Sequence, residues 1–181
     1  LNFLENHDEQ RIASDYFAGN GSKAIPAMIV SACMNTNPVM IYFGQELGEH
    51  GMDTEGFSGR DGRTTIFDYW SVDSIRRWRN GGKFDNKFLN EDEKQLKQFY
   101  TRLLNLCKQE KSIYDGQFFD LMYVNYENWN FNQHKQYAFL RKKDNEVLLI
   151  VVNFDEIPAH IGINIPAHLS SYSNICVIFF K

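Results

Sequence analysis

Residues 39–43 read VMIYF, a short, continuously apolar and β-rich run of the kind found in strands buried on both faces. Working backwards, Asn35 to Pro38 is a breaker. Before it, Ile25, Met28, Ile29, Ala32 and Cys33 follow the i, i+3, i+4, i+7, i+8 spacing of a helix with one buried stripe. Pro26 falls in its first turn, where proline is tolerated. Further back, the apolar run Leu1 to Leu4 reads as the end of another buried strand. Strand, helix, strand predicts a parallel pair joined by a crossover.

The first strand ends in Asn6, His7 and Asp8, with Arg11 three residues beyond. Taken alone, Asn-His-Asp is turn material, in which Asn6 or Asp8 caps its own backbone. Downstream of VMIYF, a long Gly-, Asp- and Arg-rich loop runs from Gly44 to about Leu89 and carries Phe57, Phe67, Tyr69, Trp70 and Trp78. A loop of that length in a compact domain is usually functional or disordered, and these interleaved aromatics argue for packing against something, which favours function. At Asn90 a capped helix begins, with Glu93 three residues on and a stripe of Leu96, Phe99, Tyr100, Leu103 and Cys107, ending near Glu110. Past Ser112 the period alternates at Phe119, Leu121 and Tyr123, then at Ile161, Ile163 and Ile165. Apolar runs cover Tyr137 to Leu140, Val147 to Val152 and Ile175 to Phe180. These predict about five antiparallel strands in a small sandwich or part-barrel. The domains expected are 1–111 and 112–181.

The 181 residues are 43% hydrophobic and 23% charged, enough for one large domain or two small ones. A net charge of -4 with scattered Lys and Arg argues against a nucleic-acid partner, and no run suits a membrane span. Aromatic residues at 15% suit either an aromatic-rich core or stacking on neutral polar ligands such as sugars. Cys33, Cys107 and Cys176 lie far apart in apolar stretches and read as small buried hydrophobes. The chain opens at Leu1 inside an apparent strand, which predicts processing or a longer parent.

"FLENHD" at residues 3–8 and "NPVMIYFGQELGE" at 37–49, followed by a long loop, a helix and an all-β tail, resemble the C-terminal end of the α-amylase family of glycoside hydrolases. In that family the first stretch matches the end of the seventh barrel strand, and "IYFGQELG" looks like the eighth strand and its loop. The resemblance implies an α/β plus all-β chain: the C-terminal fragment of an eight-stranded β/α barrel followed by a small antiparallel β-sandwich domain. It also implies part of a retaining enzyme that hydrolyses α-glucosidic bonds in starch or maltooligosaccharides. Such cleavage passes through an oxocarbenium-like transition state, which needs fixed negative charge and hydrogen bonds on the sugar. By resemblance, Asp8 is the transition-state-stabilising carboxylate, His7 hydrogen-bonds the same sugar, Asn6 orients Asp8, and Arg11, which fits the pattern of oligosaccharide-cleaving members, is a further substrate-binding candidate.

The family's nucleophilic Asp and acid Glu belong to earlier strands, and the resemblance gives Glu46 and Glu49 structural or rim roles. The expectation is therefore an inactive chain whose partner is the N-terminal portion of the barrel, with self-association of the isolated piece. The alternatives are a non-catalytic carbohydrate-binding or structural segment, or a transglycosylase of the same family. In "GRDGRTTIFDYW", residues 59–70, Arg60, Asp61 and Arg63 are candidates for a substrate rim, and Tyr69 and Trp70 for stacking on sugar. The competing reading pairs Arg with Asp and packs the aromatics. Asp53 and Glu55 lack a calcium-loop spacing, and no metal or cofactor is expected. His50, His134, His160 and His168 are isolated and read as surface residues.

Overall fold

The parallel pairing expected between the first two apolar runs is present as one rung. Asn2 pairs with Val39: its N–H donates to the Pro38 carbonyl at 2.8 Å, and its carbonyl accepts from Met40 N–H at 2.8 Å. The computed structural model describes residues 1–53, 60–67, 69–170 and 175–179. Glu55, Phe57 and Phe180 lie outside the described residues, as does the Tyr69 side chain. Neither apolar run is buried on both faces. Leu1 and Phe3 are exposed and Val39 to Ile41 half-buried, because among the described residues no further strand pairs with either run.

The chain forms two compact units, residues 1–28 with 38–104 and residues 29–37 with 105–181. This differs from the division at 111/112 expected from the change of period.

The first unit contains the first turn of α1 (Ile25–Cys33), α2 (Asp73–Arg79) and most of α3 (Glu91–Gln109). Helix α1 follows a 3-10 turn, Gly21–Ala24, capped by the Asn20 side chain. Gly21 lies so close to Gly48 that a Cβ there would sit 2.7 Å from the Gly48 Cα, so only glycine fits. Helix α3 starts with a reciprocal cap: Glu93 N–H donates to Asn90 Oδ1 at 2.9 Å, and Asn90 N–H donates to Glu93 Oε2 at 2.8 Å. Its stripe of Leu96, Phe99, Tyr100 and Leu103 is buried, as its spacing predicts. Helix α2 lies inside the stretch expected to be loop. Its periodicity is masked by arginines, and an i, i+4 pair of Asp73 and Arg77 at 2.6 Å together with buried Val72 and Ser74 holds it. Trp78 on α2 packs edge-on to Phe84, with ring centroids 5.3 Å apart.

The second unit holds a four-stranded mixed sheet of β1 (Gln117–Asp120), β2 (Gln136–Lys143), β3 (Glu146–Asn153) and β4 (Ile175–Phe179), ordered 1-2-3-4. The first two pairings are antiparallel. The third is parallel, so the all-antiparallel expectation is corrected. Asp144 at φ 51 makes the tight β2–β3 turn. Three short helices, α4 (Lys111–Tyr114), α5 (Met122–Asn125) and α6 (Ala167–Ser170), complete the unit. One face of the sheet buries Ala138, Leu140, Val147, Leu149 and Val151 with Leu121, Phe131 and Leu169.

The Phe119-Leu121-Tyr123 alternation is not one strand. Asp120 Oδ1 accepts from Met122 N–H at 3.1 Å and turns the chain into α5. Ile161, Ile163 and Ile165 pack on the core without joining a strand, because asparagine side chains satisfy their neighbours' backbone. Asn125 Nδ2 donates to Asn164 O at 3.0 Å, Asn164 N–H donates to Asn125 Oδ1 at 2.8 Å, and Asn128 Nδ2 donates to Gly162 O at 2.6 Å. Among the described residues there is one sheet, with no second sheet to make a sandwich and no closed barrel.

On the opposite face, Arg141 is 1% exposed. Its guanidinium donates to four carbonyls: Ser112 at 3.0 Å, Ile113 at 2.8 Å, Gly116 at 2.8 Å and Met34 at 2.9 Å. Burial lowers its pKa from the ordinary arginine value. These bonds tie residues 34 and 112–116 to the sheet, which is why 29–37 and 105–111 belong to this unit.

Candidate functional site

Just beyond the first apolar run, the chain turns sharply. Asn6 Oδ1 accepts from Asp8 N–H at 2.8 Å and from Glu9 N–H at 2.9 Å. The turn reading of Asn-His-Asp is therefore present, and its effect is to point two side chains outward. His7 and Asp8 are 43% and 74% exposed at the side chain, with Nε2 and Oδ1 3.5 Å apart.

Both ends of this turn are anchored in the interior. Glu5 is buried, its Oε2 accepting from Arg11 Nη1 at 2.8 Å and its Oε1 from Ile12 N–H at 2.8 Å. Arg11 is fully buried. Its Nε and Nη2 donate to Thr64 Oγ1 at 2.9 and 2.6 Å, and Nη2 also to the Phe43 carbonyl at 2.7 Å. The guanidinium stacks on Tyr42 with Cζ 4.2 Å from the ring centroid. Arg11 N–H donates to the Gly62 carbonyl at 2.6 Å, and Tyr42 Oη to the Thr64 carbonyl at 2.7 Å. Residues 5, 11, 42–43 and 62–64 thus make one buried polar node, from which the tip at residues 6–9 projects. Arg11, expected on the sugar, is corrected to a residue of this node: its donors are turned inward and it is closed to solvent.

Arg63 is half-buried and donates to Asp61 Oδ2 through Nε at 3.0 Å and Nη2 at 2.6 Å. Its guanidinium is raised above the ordinary arginine value, first by the Asp61 hydrogen bond and further by the charges of Asp8 and Glu9. Arg63 is therefore paired as the competing reading held, and still lies within electrostatic reach of Asp8. Arg60 donates to the Met52 carbonyl at 2.6 Å. Trp70 is 61% exposed on a separate 3-10 turn, Tyr69–Ser71. The structure gathers Asn6, His7, Asp8 and Arg63, buries Arg11 beneath them, and puts Trp70 on another turn.

Glu49 is buried, accepting from Ser74 Oγ and from Gly51 N–H at 3.0 Å. Glu46 is half-buried, and burial raises its carboxyl above the ordinary glutamate value. Glu49 lines a separate pocket of about 260 Å³ with Asp53, Asp73, Ser74, Arg77 and Glu93. In its wall Arg77 pairs with Glu93 at 2.5 and 2.6 Å. Among the described residues no three His, Cys, Asp or Glu are arranged to hold a metal ion, and no helix is long and apolar enough to cross a membrane. Sequence reasoning did not single out Glu5 or Thr64. Glu5 sits directly before Asn-His-Asp, but no spacing rule marks a carboxylate six residues before an arginine as its buried partner.

No family model matches the chain, and no curated protein matches it in sequence. Among solved structures the chain is similar to that titled "Crystal structure of AmyP in complex with maltose", at 19% identity and a TM-score of 0.52, over 84% of this chain. The chain spans 30% of the length of that protein. The likeness is one of fold: an α/β arrangement found as part of a longer polypeptide.

Proposed function

We propose that this chain is part of a retaining, α-amylase-like glycoside hydrolase acting on α-glucans, in which Asp8 stabilises the transition state and His7 hydrogen-bonds the sugar. The observation that carries the reading is the exposed His7–Asp8 pair, 3.5 Å apart, on a tip fixed from below by Glu5 and Arg11. An exposed carboxylate on a buried, hydrogen-bonded base is a preorganised charge, the form in which electrostatic stabilisation of a developing oxocarbenium ion is effective. The fold likeness to a protein solved with maltose and the FLENHD stretch support the same class. Asn6 sets the tip, Arg11 positions it, and Arg63 lies near the acidic tip as a rim residue; Tyr69 and Trp70 are proposed to stack on sugar.

In this reading the nucleophile and the proton donor come from elsewhere in the enzyme, and the isolated chain does not turn over starch or maltooligosaccharides. Assay of the purified chain tests the second point, since turnover lost in Asp8→Asn would overturn it. In an active enzyme containing this segment, Asp8→Asn lowers kcat more than about a hundredfold with the fold retained, the typical loss for one transition-state electrostatic partner. A near-normal kcat would remove Asp8 from the role.

A further inference from the structure

The second unit is discontinuous in sequence: the chain leaves it after residue 37 and returns at residue 105. A cysteine stands on each segment close to the break. Cys33, the last residue of α1, is fully buried, and Cys107, in the last turn of α3, is half-buried. Their sulfurs are 3.7 Å apart, in hydrogen-bonding contact, and Cys107 Sγ also lies 3.7 Å from the Ala32 carbonyl. Read from sequence as separate buried hydrophobes, these two thiols are neighbours. Cys176 on β4 is exposed.

We propose that Cys33 and Cys107 form a reversible disulfide that fastens the two segments of this unit to each other. For the bond to form, the sulfurs have to close from 3.7 Å to the roughly 2.05 Å of a disulfide. The oxidant is a low-molecular-weight disulfide. The Cys107 thiolate attacks one of its sulfurs, forming a mixed disulfide and releasing one small thiolate. The Cys33 thiolate then attacks the Cys107 sulfur and expels the second. The two protons lost by the cysteines end on the two small thiols, and the protein gives up two electrons.

The surroundings favour this order. Cys107 is the one of the pair that solvent reaches, and its hydrogen bond with Cys33 lowers its pKa. The same bond, with burial, raises that of Cys33, while the nearby charge of Arg141 acts to lower it. Thiolate character at an accessible sulfur with a second sulfur behind it is the arrangement of an attacking and a resolving cysteine. The link closes a loop that contains residues 38–104, so its effect on chain entropy is large.

The test is to treat the purified chain with oxidised glutathione or with dithiothreitol and compare intact mass, proteolytic peptides and melting. The expected oxidised product is lighter by about 2 Da, carries joined Cys33 and Cys107 peptides, and melts roughly 5 °C or more above the reduced form. Cys176→Ser keeps the link. Cys33→Ser stops at a glutathione adduct on Cys107. Glutathione adducts without an internal link in the unsubstituted chain, or a link through Cys176, overturn the proposal, and a link that leaves Tm unchanged overturns the fastening role. The peptide map of the unsubstituted chain decides even where Cys33→Ser does not fold.

Discussion

Arg11 and Glu5 form an ion pair closed to solvent, Nη1 to Oε2 at 2.8 Å with the two side chains 0% and 3% exposed. The pair, with Thr64 and the Phe43 carbonyl, closes the base of the turn that presents His7 and Asp8. Removing either partner leaves a buried charge without its counter-ion. Glu5→Gln or Arg11→Met is expected to destabilise the chain by about 3–5 kcal/mol, read as a lower urea midpoint at unchanged slope. Arg11→Lys does not rescue it, because an ammonium cannot reproduce the planar fork that serves three acceptors.

At the tip of the same turn the order of effects reverses. Asn6→Ala removes the acceptor of two backbone N–H groups and is expected to cost about 1–2 kcal/mol in the same urea assay. Asp8→Asn, at a 74% exposed side chain, is expected to change stability by no more than about 0.5 kcal/mol. Set beside the loss of kcat proposed for Asp8→Asn in an active enzyme, the urea assay separates a chemical role for this carboxylate from a structural one.

Acid unfolding should report Glu93. Burial acts to raise its carboxyl, but the hydrogen bonds from Arg77 and Asn90 prevail and hold it below the ordinary value of 4.5. A depressed carboxylate contributes stability that is complete above the unfolded pKa and is lost as pH falls through the folded one. Unfolding free energy should therefore fall below about pH 4.5, and Glu93→Gln should reduce that slope while lowering stability at neutral pH. An identical acid slope in the variant counts against the assignment.

Arg141 is the costliest single position expected in the second unit. Truncation to Met strands four carbonyls, each buried acceptor losing its partner at about 1–3 kcal/mol, partly relieved by local rearrangement. Arg141→Met is expected to lose most of the soluble yield, or to unfold at least about 3 kcal/mol more easily where it can be purified.

What the sequence made legible follows from periodicity. The stripe of α3 and its Asn90–Glu93 cap are local patterns, and the structure has them at those residues. The strand-helix-strand opening is also local, and its parallel contact appears at Asn2 and Val39. Alternation proved a weaker guide. Ile161, Ile163 and Ile165 are partly buried on one side as strand residues are, yet the backbone of the intervening Gly162 and Asn164 is satisfied by Asn128 and Asn125, a long-range relationship no local pattern announces. The direction of β4 is likewise a property of chain return, not of composition.

At the candidate site, residue type revealed the turn and its exposed acid. The base stayed hidden, because Glu5, Arg11 and Thr64 meet only after residues 53 positions apart in sequence are brought together. A charged side chain such as Arg11 looks the same in a sequence whether it faces a ligand or a buried carboxylate.

The carbonyl of Met34 that receives Arg141 has a consequence for how this molecule can be cut or recombined. A tail taken from residue 112 onward keeps three of the arginine's acceptors and loses the fourth, which arrives from the residue just past the end of α1, far upstream. The β-rich tail is therefore not a cassette that can be grafted elsewhere at the point where its strands begin. A crossover that preserves it has to carry the end of α1 along, so exchange between relatives is constrained to junctions ahead of that helix or to both of its crossing points at once.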